Sequence, residues 1–329
     1  VDRRPGGGGA RPGACEGDLM PLYLTEADVG RLLNPRDLTD ALEATFRGLA
    51  RGEAAQLPRF RVRHHKQMLH TLPGLSLCDG VAGVKTYLSG PSGARFVTLL
   101  FGLESGALEA VVESDRLGQL RTGCATALSA RFLAPPGPLV MGLLGAGTVA
   151  WGQLEALVAE VSLAEVRVFS RSADRREDFC RRATESLGVR ARPVNSAAEA
   201  VQEAGLVVTA TWTRHPLLTM DMLAPVCHVC PVGSNKPDRR EVNEDVIRGA
   251  DLVVVDDLAS ARSEAGDLLA VPDLDWSTVQ TLADLVLAGR QDRPDRTLFK
   301  SVGVALEDLS AAALAVRRAR QLGLGQSIG

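Results

Sequence analysis

Six consecutive residues, Gly145-Ala146-Gly147-Thr148-Val149-Ala150, have the types and spacing to hold a pyrophosphate. Gly145 permits a tight turn, Gly147 lets the backbone approach a phosphate, and Ala150 lets a helix pack close to a strand. This is the GxGxxA form of the dinucleotide fingerprint. The apolar run Val140–Leu144 before it predicts a buried strand, and Thr148–Glu160 after it predicts a helix whose free N–H groups and dipole favour an anion. The next predicted strand, Glu165–Phe169, ends where an Asp or Glu usually binds the ribose 2′-hydroxyl. Here the residues are Ser170, Arg171 and Ser172, with Arg175 and Arg176 close behind. A guanidinium suits a 2′-phosphate through charge-assisted pairs, so NADP(H) is expected ahead of NAD(H), which stays open.

The cysteines suggest less chemistry. Of the six (Cys15, Cys78, Cys124, Cys180, Cys227 and Cys230), only the last two are close, with CxxC spacing. A structural zinc site needs four ligands and no second pair lies nearby. The segment Cys227–Gly233 reads as a buried strand running into a turn, so no metal is expected. Scattered cysteines in a chain of 329 residues suit a reducing cytoplasm.

These groups need a frame. The apolar fraction is 45%, the charged fraction 23% and the formal net charge −3, which gives no general pull toward nucleic acid or anionic membrane. No apolar run approaches the roughly 18–20 residues that span a bilayer. Residues 1–18, rich in Gly, Pro and Arg, read as a disordered leader without a signal-peptide h-region. Thr25 is placed to cap a helix with Asp28 at its third position, and Asp37–Arg51 has helical apolar spacing. Met68–Cys78, Val81–Leu88 and Phe96–Gly102 read as strands, the last paired through a Gly-containing loop with Leu108–Val112. His64 and His65, in the basic stretch Arg59–Lys66, read as surface residues. A helix over Leu120–Leu133 leads to the boundary Pro135-Pro136-Gly137-Pro138. Beyond it, runs at 140–144, 165–169, 206–210, 226–232 and 252–255 alternate with helices at 148–160, 174–187 and 197–204. This predicts an α/β fold with a Rossmann-type doubly wound parallel sheet. An amphipathic helix over Val304–Leu322 closes the chain.

Several further motifs, taken in order, resemble those of the ornithine cyclodeaminase/μ-crystallin family. They are Gly83-Val84-Lys85-Thr86, Leu120-Arg121-Thr122-Gly123-Cys124-Ala125, Thr209-Ala210-Thr211, Val232-Gly233-Ser234-Asn235-Lys236-Pro237 and Leu298-Phe299-Lys300-Ser301-Val302-Gly303. The resemblance runs from about residue 20 to 326. It implies a substrate-binding and dimerisation domain at 19–133, completed by the C-terminal helix at 303–329, and a nucleotide domain at 134–302. It also implies a homodimer, formed by short Gly-interrupted strands that complete a sheet across a two-fold axis. Thr122, Thr209, Ala210, Thr211, Val232, Gly233, Ser234, Ser301 and Gly303 would join the phosphate loop around the cofactor.

The resemblance also places three cations, Arg59, Lys85 and Arg121, at substrate-binding positions. Two arginines can clamp a carboxylate, and a lysine near an imine carbon can bind a carboxylate oxygen or shuttle a proton. Lys85 stands inside an apolar strand, a costly place for an unpaired ammonium. The implied reaction is hydride transfer between a nicotinamide and the C=N carbon of an imino acid, or the reverse oxidation of an amino acid. The cyclodeaminase form of the family carries a catalytic Asp where this chain has Asn235, and an amide cannot take up a proton. That ranks an imine or ketimine reductase, or an amino-acid dehydrogenase, ahead of a cyclodeaminase making proline and ammonia from ornithine. A protein of μ-crystallin type that holds NADP(H) and binds a ligand is a third reading. Tyr87, where the family often has a small aliphatic residue, hints at a different side-chain pocket.

Overall fold

The computed structural model describes residues 20–289 and 293–329, so the predicted leader lies outside the described residues. Two eight-stranded sheets are present. The first takes β1 (Leu22–Leu24), β2 (Ala54–Gln56), β3 (Phe60–His64), β4 (Gln67–Ser76), β5 (Val81–Gly90), β6 (Gly93–Gly102) and β7 (Leu108–Glu113). The second takes β8 (Leu139–Leu144), β9 (Leu163–Phe169), β10 (Ala191–Pro193), β11 (Leu206–Thr209), β12 (Cys227–Pro231), β13 (Leu252–Val255), β14 (Gln280–Thr281) and β15 (Arg296–Lys300). The last strand, β16 (Gln326–Ser327), returns to the edge of the first sheet.

The second sheet is parallel throughout, in the order β10-β9-β8-β11-β12-β15-β13-β14. Its direction of growth reverses between β8 and β11, the topological switch point where ligands of such sheets bind. The first sheet is antiparallel except where β1 runs parallel to β7. Helix Thr148–Glu160 has its expected bounds, and the Thr25–Asp28 capping box forms.

Three expectations change. The helix expected from Leu120 starts at Asp115, because Leu117 continues the buried stripe of Leu120, Cys124 and Leu128; Arg121 and Thr122 therefore sit within the helix. Strands β4, β5 and β6 are ten residues each, not short. Their glycines mark close packing instead: a Cβ on Gly83 would lie 2.3 Å from the Leu99 carbonyl oxygen and 2.8 Å from Leu309 of helix Ala305–Leu322. The remaining change is one of number, since β3, β10, β15 and the edge strands were not expected as separate elements.

The two sheets meet through helices. A Cβ on Gly123 would lie 2.1 Å from the Gly152 carbonyl oxygen, so helices Asp115–Leu133 and Thr148–Glu160 cross backbone to backbone. Helix Ala305–Leu322 follows the second sheet's β15 but packs on the first sheet, beside β4, β5 and β6. Its Glu307 and Asp308 are fully buried. On the opposite face of the first sheet, Phe60, Val62, Leu69, Leu75, Leu88 and Phe101 are exposed. Cys227 and Cys230 are buried free thiols three apart on β12, each in a different apolar cluster. A strand alternates its side chains, so the two face opposite sides of the sheet and cannot share a ligand. Among the described residues no helix is long and apolar enough to cross a membrane.

Candidate active site

The phosphate loop follows β8 directly. Gly145 has φ +128°, and a Cβ there would come within 2.5 Å of the Ala210 carbonyl oxygen, so only glycine fits. Gly147 has open space where a Cβ would stand and forms the N-cap of helix Thr148–Glu160 without any side-chain cap. By contrast, Ser172 caps the next long helix, Ala173–Leu187, by accepting from the Arg175 amide. An uncapped helix N-terminus behind an open glycine leaves backbone donors and a positive dipole end for a phosphate. These residues fit a dinucleotide.

Beyond β9, Arg176 is turned onto the protein: it donates to the Ser170 carbonyl at 3.0 Å and to Asn195 Oδ1 at 2.9 Å. Arg171 is exposed and, among the described residues, makes no ion pair or hydrogen bond through its side chain; Arg175 is also exposed. Thr209 is fully buried and its hydroxyl has no partner.

A cleft of about 320 Å³ opens beside the loop. Arg59, Lys85, Arg121, Thr122, Val149 and Gly233 line it, as do Val232, Ser234, Asn235, Ser301 and Gly303. Residues expected at the substrate and residues expected at the cofactor thus share one cavity. Leu72, Tyr87, Phe96 and Trp212 complete the apolar part of the wall. Tyr87 stacks on His70 with ring centroids 4.2 Å apart, and the Lys85 ammonium lies 5.1 Å from the Phe96 ring centroid. His64 and His65 are exposed, away from the cleft.

All three cations of the cleft already have anionic partners. Lys85 Nζ donates to Asp308 Oδ1 at 2.7 Å, and Arg121 Nε donates to the same oxygen at 2.9 Å. Arg121 also pairs with Glu307. Arg59 pairs with Glu264 at 2.7 Å and donates to the carbonyls of Val302 and Gly303. Glu264 pairs with Arg61 as well, at 2.7 Å. Burial demands such partners, because an unpaired charge out of water is far costlier than a paired one. Lys85 has three donors and Arg121 five, so both keep N–H groups for a substrate carboxylate.

The electrostatics follow from burial. Desolvation pushes the Lys85 ammonium down to about 8, with Arg121 adding to the effect and Asp308 opposing it. Burial would raise Asp308, but Arg121 and Lys85 outweigh it and hold the carboxyl below its usual range. Burial pushes Glu307 up to about 8. Lys85 therefore carries a proton at neutral pH but releases it within reach of that pH, as proton transfer requires.

Buried carboxylates brace the surrounding loops. Glu241 accepts from the backbone N–H of Thr211 and of Gly233, both at 2.6 Å, and so ties the segments after β11 and β12. Burial pushes it up to about 7. Lys300 pairs with Asp267 at 2.9 Å and donates to the Ser234 carbonyl at 2.9 Å. Asp256 accepts from Ser301 Oγ and from the amides of Val302 and Gly303. The Asn235 backbone carbonyl accepts from Arg61 at 3.3 Å; among the described residues its side-chain amide has no partner.

Sequence reasoning did not find Glu264, Glu307, Asp308, Glu241 or Asp256. Glu307 and Asp308 left a trace, as two acids in the first turn of an amphipathic helix. That pattern has an ordinary explanation in the helix dipole, which hid their role. Trp212 and Phe96 carried no signal beyond their type.

A model of the ornithine cyclodeaminase/mu-crystallin family matches residues 20–322. The chain is 31% identical over 311 residues to the ketimine reductase mu-crystallin of Mus musculus, covering 89% of this chain and 96% of that one. Its fold matches the Thermococcus litoralis Δ1-pyrroline-2-carboxylate reductase solved with NADH and L-proline (TM-score 0.88, 26% identity, 93% of this chain and 100% of that one). It also matches a probable ornithine cyclodeaminase from Bordetella pertussis Tohama I (TM-score 0.86, 34% identity, 94% and 100%). This chain belongs to the ornithine cyclodeaminase/mu-crystallin family.

Proposed function

We propose that the protein is an NAD(P)H-dependent reductase of imino acids or ketimines, also able to run in reverse as an amino-acid dehydrogenase. One observation carries the reading: Lys85 and Arg121, cations with donors to spare, line the same cleft as Val149 of the phosphate loop and the segments 232–235 and 301–303. Gly145, Ala146, Gly147, Thr148 and Val149 would hold the pyrophosphate. Ser170, Arg171, Ser172 and Arg175 would meet the adenosine ribose, and free Arg171 favours the 2′-phosphate of NADP(H) over NAD(H). When bound, the reduced nicotinamide supplies the hydride. Arg121 and Arg59 bind the substrate carboxylate and fix the C=N carbon, the chief contribution of positioning to rate. Lys85 Nζ gives a proton to the imine nitrogen, which takes the π electron pair, and the resulting neutral amine is reloaded from water.

Asn235 is the specific observation against cyclodeamination, since its amide stands in the cleft without a carboxylate's charge. The exposed apolar face of β3 to β6 supports a homodimer, because a patch of that kind on a lone protomer is a liability. The domain division at 19–133 with 303–329, against 134–302, accords with the helix that packs back on the first sheet. Free buried cysteines suit a reducing, cytoplasmic setting. The reading is tested by following NADPH oxidation with Δ1-pyrroline-2-carboxylate, Δ1-piperideine-2-carboxylate, and pyruvate with methylamine. Turnover of at least one is expected. NADPH binding with no turnover of any would point to a ligand-binding protein, and ammonia release from ornithine to a cyclodeaminase.

A further inference from the structure

We propose that Asp308 is a positioning residue that joins Lys85 and Arg121 into one unit and keeps Lys85 loaded with its proton for imine reduction. The inference rests on the reductase reading above. Asp308 is absent from the cleft wall, whereas Lys85 and Arg121 both line it. It stands behind them in the first turn of helix Ala305–Leu322, fully buried. One oxygen, Oδ1, takes a hydrogen bond from Lys85 at 2.7 Å and from Arg121 at 2.9 Å. The other, Oδ2, is buried without a partner. A single carboxylate oxygen shared by two cations from two different elements fixes their spacing, and with it the geometry of a carboxylate held on one side and an imine nitrogen on the other.

The same contact decides the charge on Lys85. The charged groups acting on Lys85 are Asp308 from the C-terminal helix, Arg121 from helix Asp115–Leu133 and Arg59 from the segment before β3. Glu307 is taken up by Arg121, and Glu264 by Arg59 and Arg61. Burial, Arg121 and Arg59 all press Lys85 toward the neutral amine; Asp308 alone among these groups presses the other way. Without that carboxylate Lys85 would lose its proton at a lower pH, and the reductive direction would lose its acid.

The test is the pH profile of kcat/KM for imine reduction. In the wild type an alkaline limb is expected near pH 8. In Asp308→Asn the limb should move to lower pH by about one unit or more, the usual effect of removing an opposite charge at hydrogen-bond distance. Asp308→Glu, which restores the charge, should bring it back toward the wild-type position. NADPH affinity, read from quenching of tryptophan emission, should stay within about twofold. A merely structural Asp308 would lower the melting temperature and scale kcat down at every pH while leaving the limb in place; that result would overturn the proposal. Should Asp308→Asn fail to fold, Lys85→Arg decides instead. A guanidinium keeps the pair with Asp308 but does not deprotonate in this range, so its residual rate should lose the limb. A limb retained near pH 8 in Lys85→Arg would refute the assignment of the titration to Lys85. If no imine is turned over at all, the reductase reading itself fails first, and the two failures are thereby distinguished.

Discussion

The phosphate loop and the cation cleft lie side by side, yet they are built in opposite ways. The loop is six consecutive residues and works through backbone: an uncapped helix end, a glycine at φ +128° and an open Gly147. The cleft works through side chains from four distant stretches, with Arg59, Lys85, Arg121 and the Glu307–Asp308 pair converging from both sides of the second sheet's sequence. The loop ties down its Gly145 amide on the Phe169 carbonyl but leaves the helix N-terminus after Gly147 uncapped and exposed, where water can serve its donors. The cleft buries its cations and must pair them before any substrate is present. A site on exposed backbone tolerates an absent ligand; a buried charged site carries its own counter-ions.

The sharpest way to break this comparison is Lys85→Ala. Removing the proton donor should lower kcat for imine reduction by about two orders of magnitude or more, while NADPH affinity stays near wild type because the loop does not depend on the cleft. A parallel loss of NADPH binding, read by tryptophan quenching, would show that the two sites are one unit. Arg171→Ala should do the converse. It should weaken NADPH by about 1.5–3 kcal/mol, the worth of a hydrogen bond to a charged group, and leave NADH nearly untouched; equal losses for the two cofactors in a titration would remove Arg171 from the 2′-phosphate. Asn235→Asp should have the smallest effect. It should raise ammonia release from ornithine just above the wild-type background and reduce imine turnover. Strong proline formation by the wild type would reverse the ranking of the two activities.

How much could be read in advance follows the same division. Strands β8, β9, β11, β12 and β13 and helix Thr148–Glu160 were legible because buried parallel strands read as β-branched apolar runs, whereas β10, β14 and β15, which carry Arg192, Gln280 and Arg296, were not. The Thr25–Asp28 cap was legible because capping is a contact between residues three apart. The first sheet was read less well. Its glycines suggested short strands, whereas Gly74 and Gly83 make room for Leu309, more than 200 residues away in the chain. The start of helix Asp115–Leu133 was missed by five residues, since its first turn carries one buried apolar residue and no side-chain cap.

By itself, the sequence determined the dinucleotide loop, the parallel α/β character of the second sheet, the absence of a carboxylate at the end of β9 and the identity of the three cations. Each of these is a property of neighbouring residues or of periodicity, and neighbours are written in the chain. Only the tertiary structure decided which anion each cation meets, that Asp308 serves Lys85 and Arg121 through a single oxygen, and that Glu241 ties the loops after β11 and β12. Those contacts join residues from eight to more than two hundred positions apart. A buried carboxylate and an exposed one are the same letter in the sequence, and only the packing around it tells which charge must be neutralised.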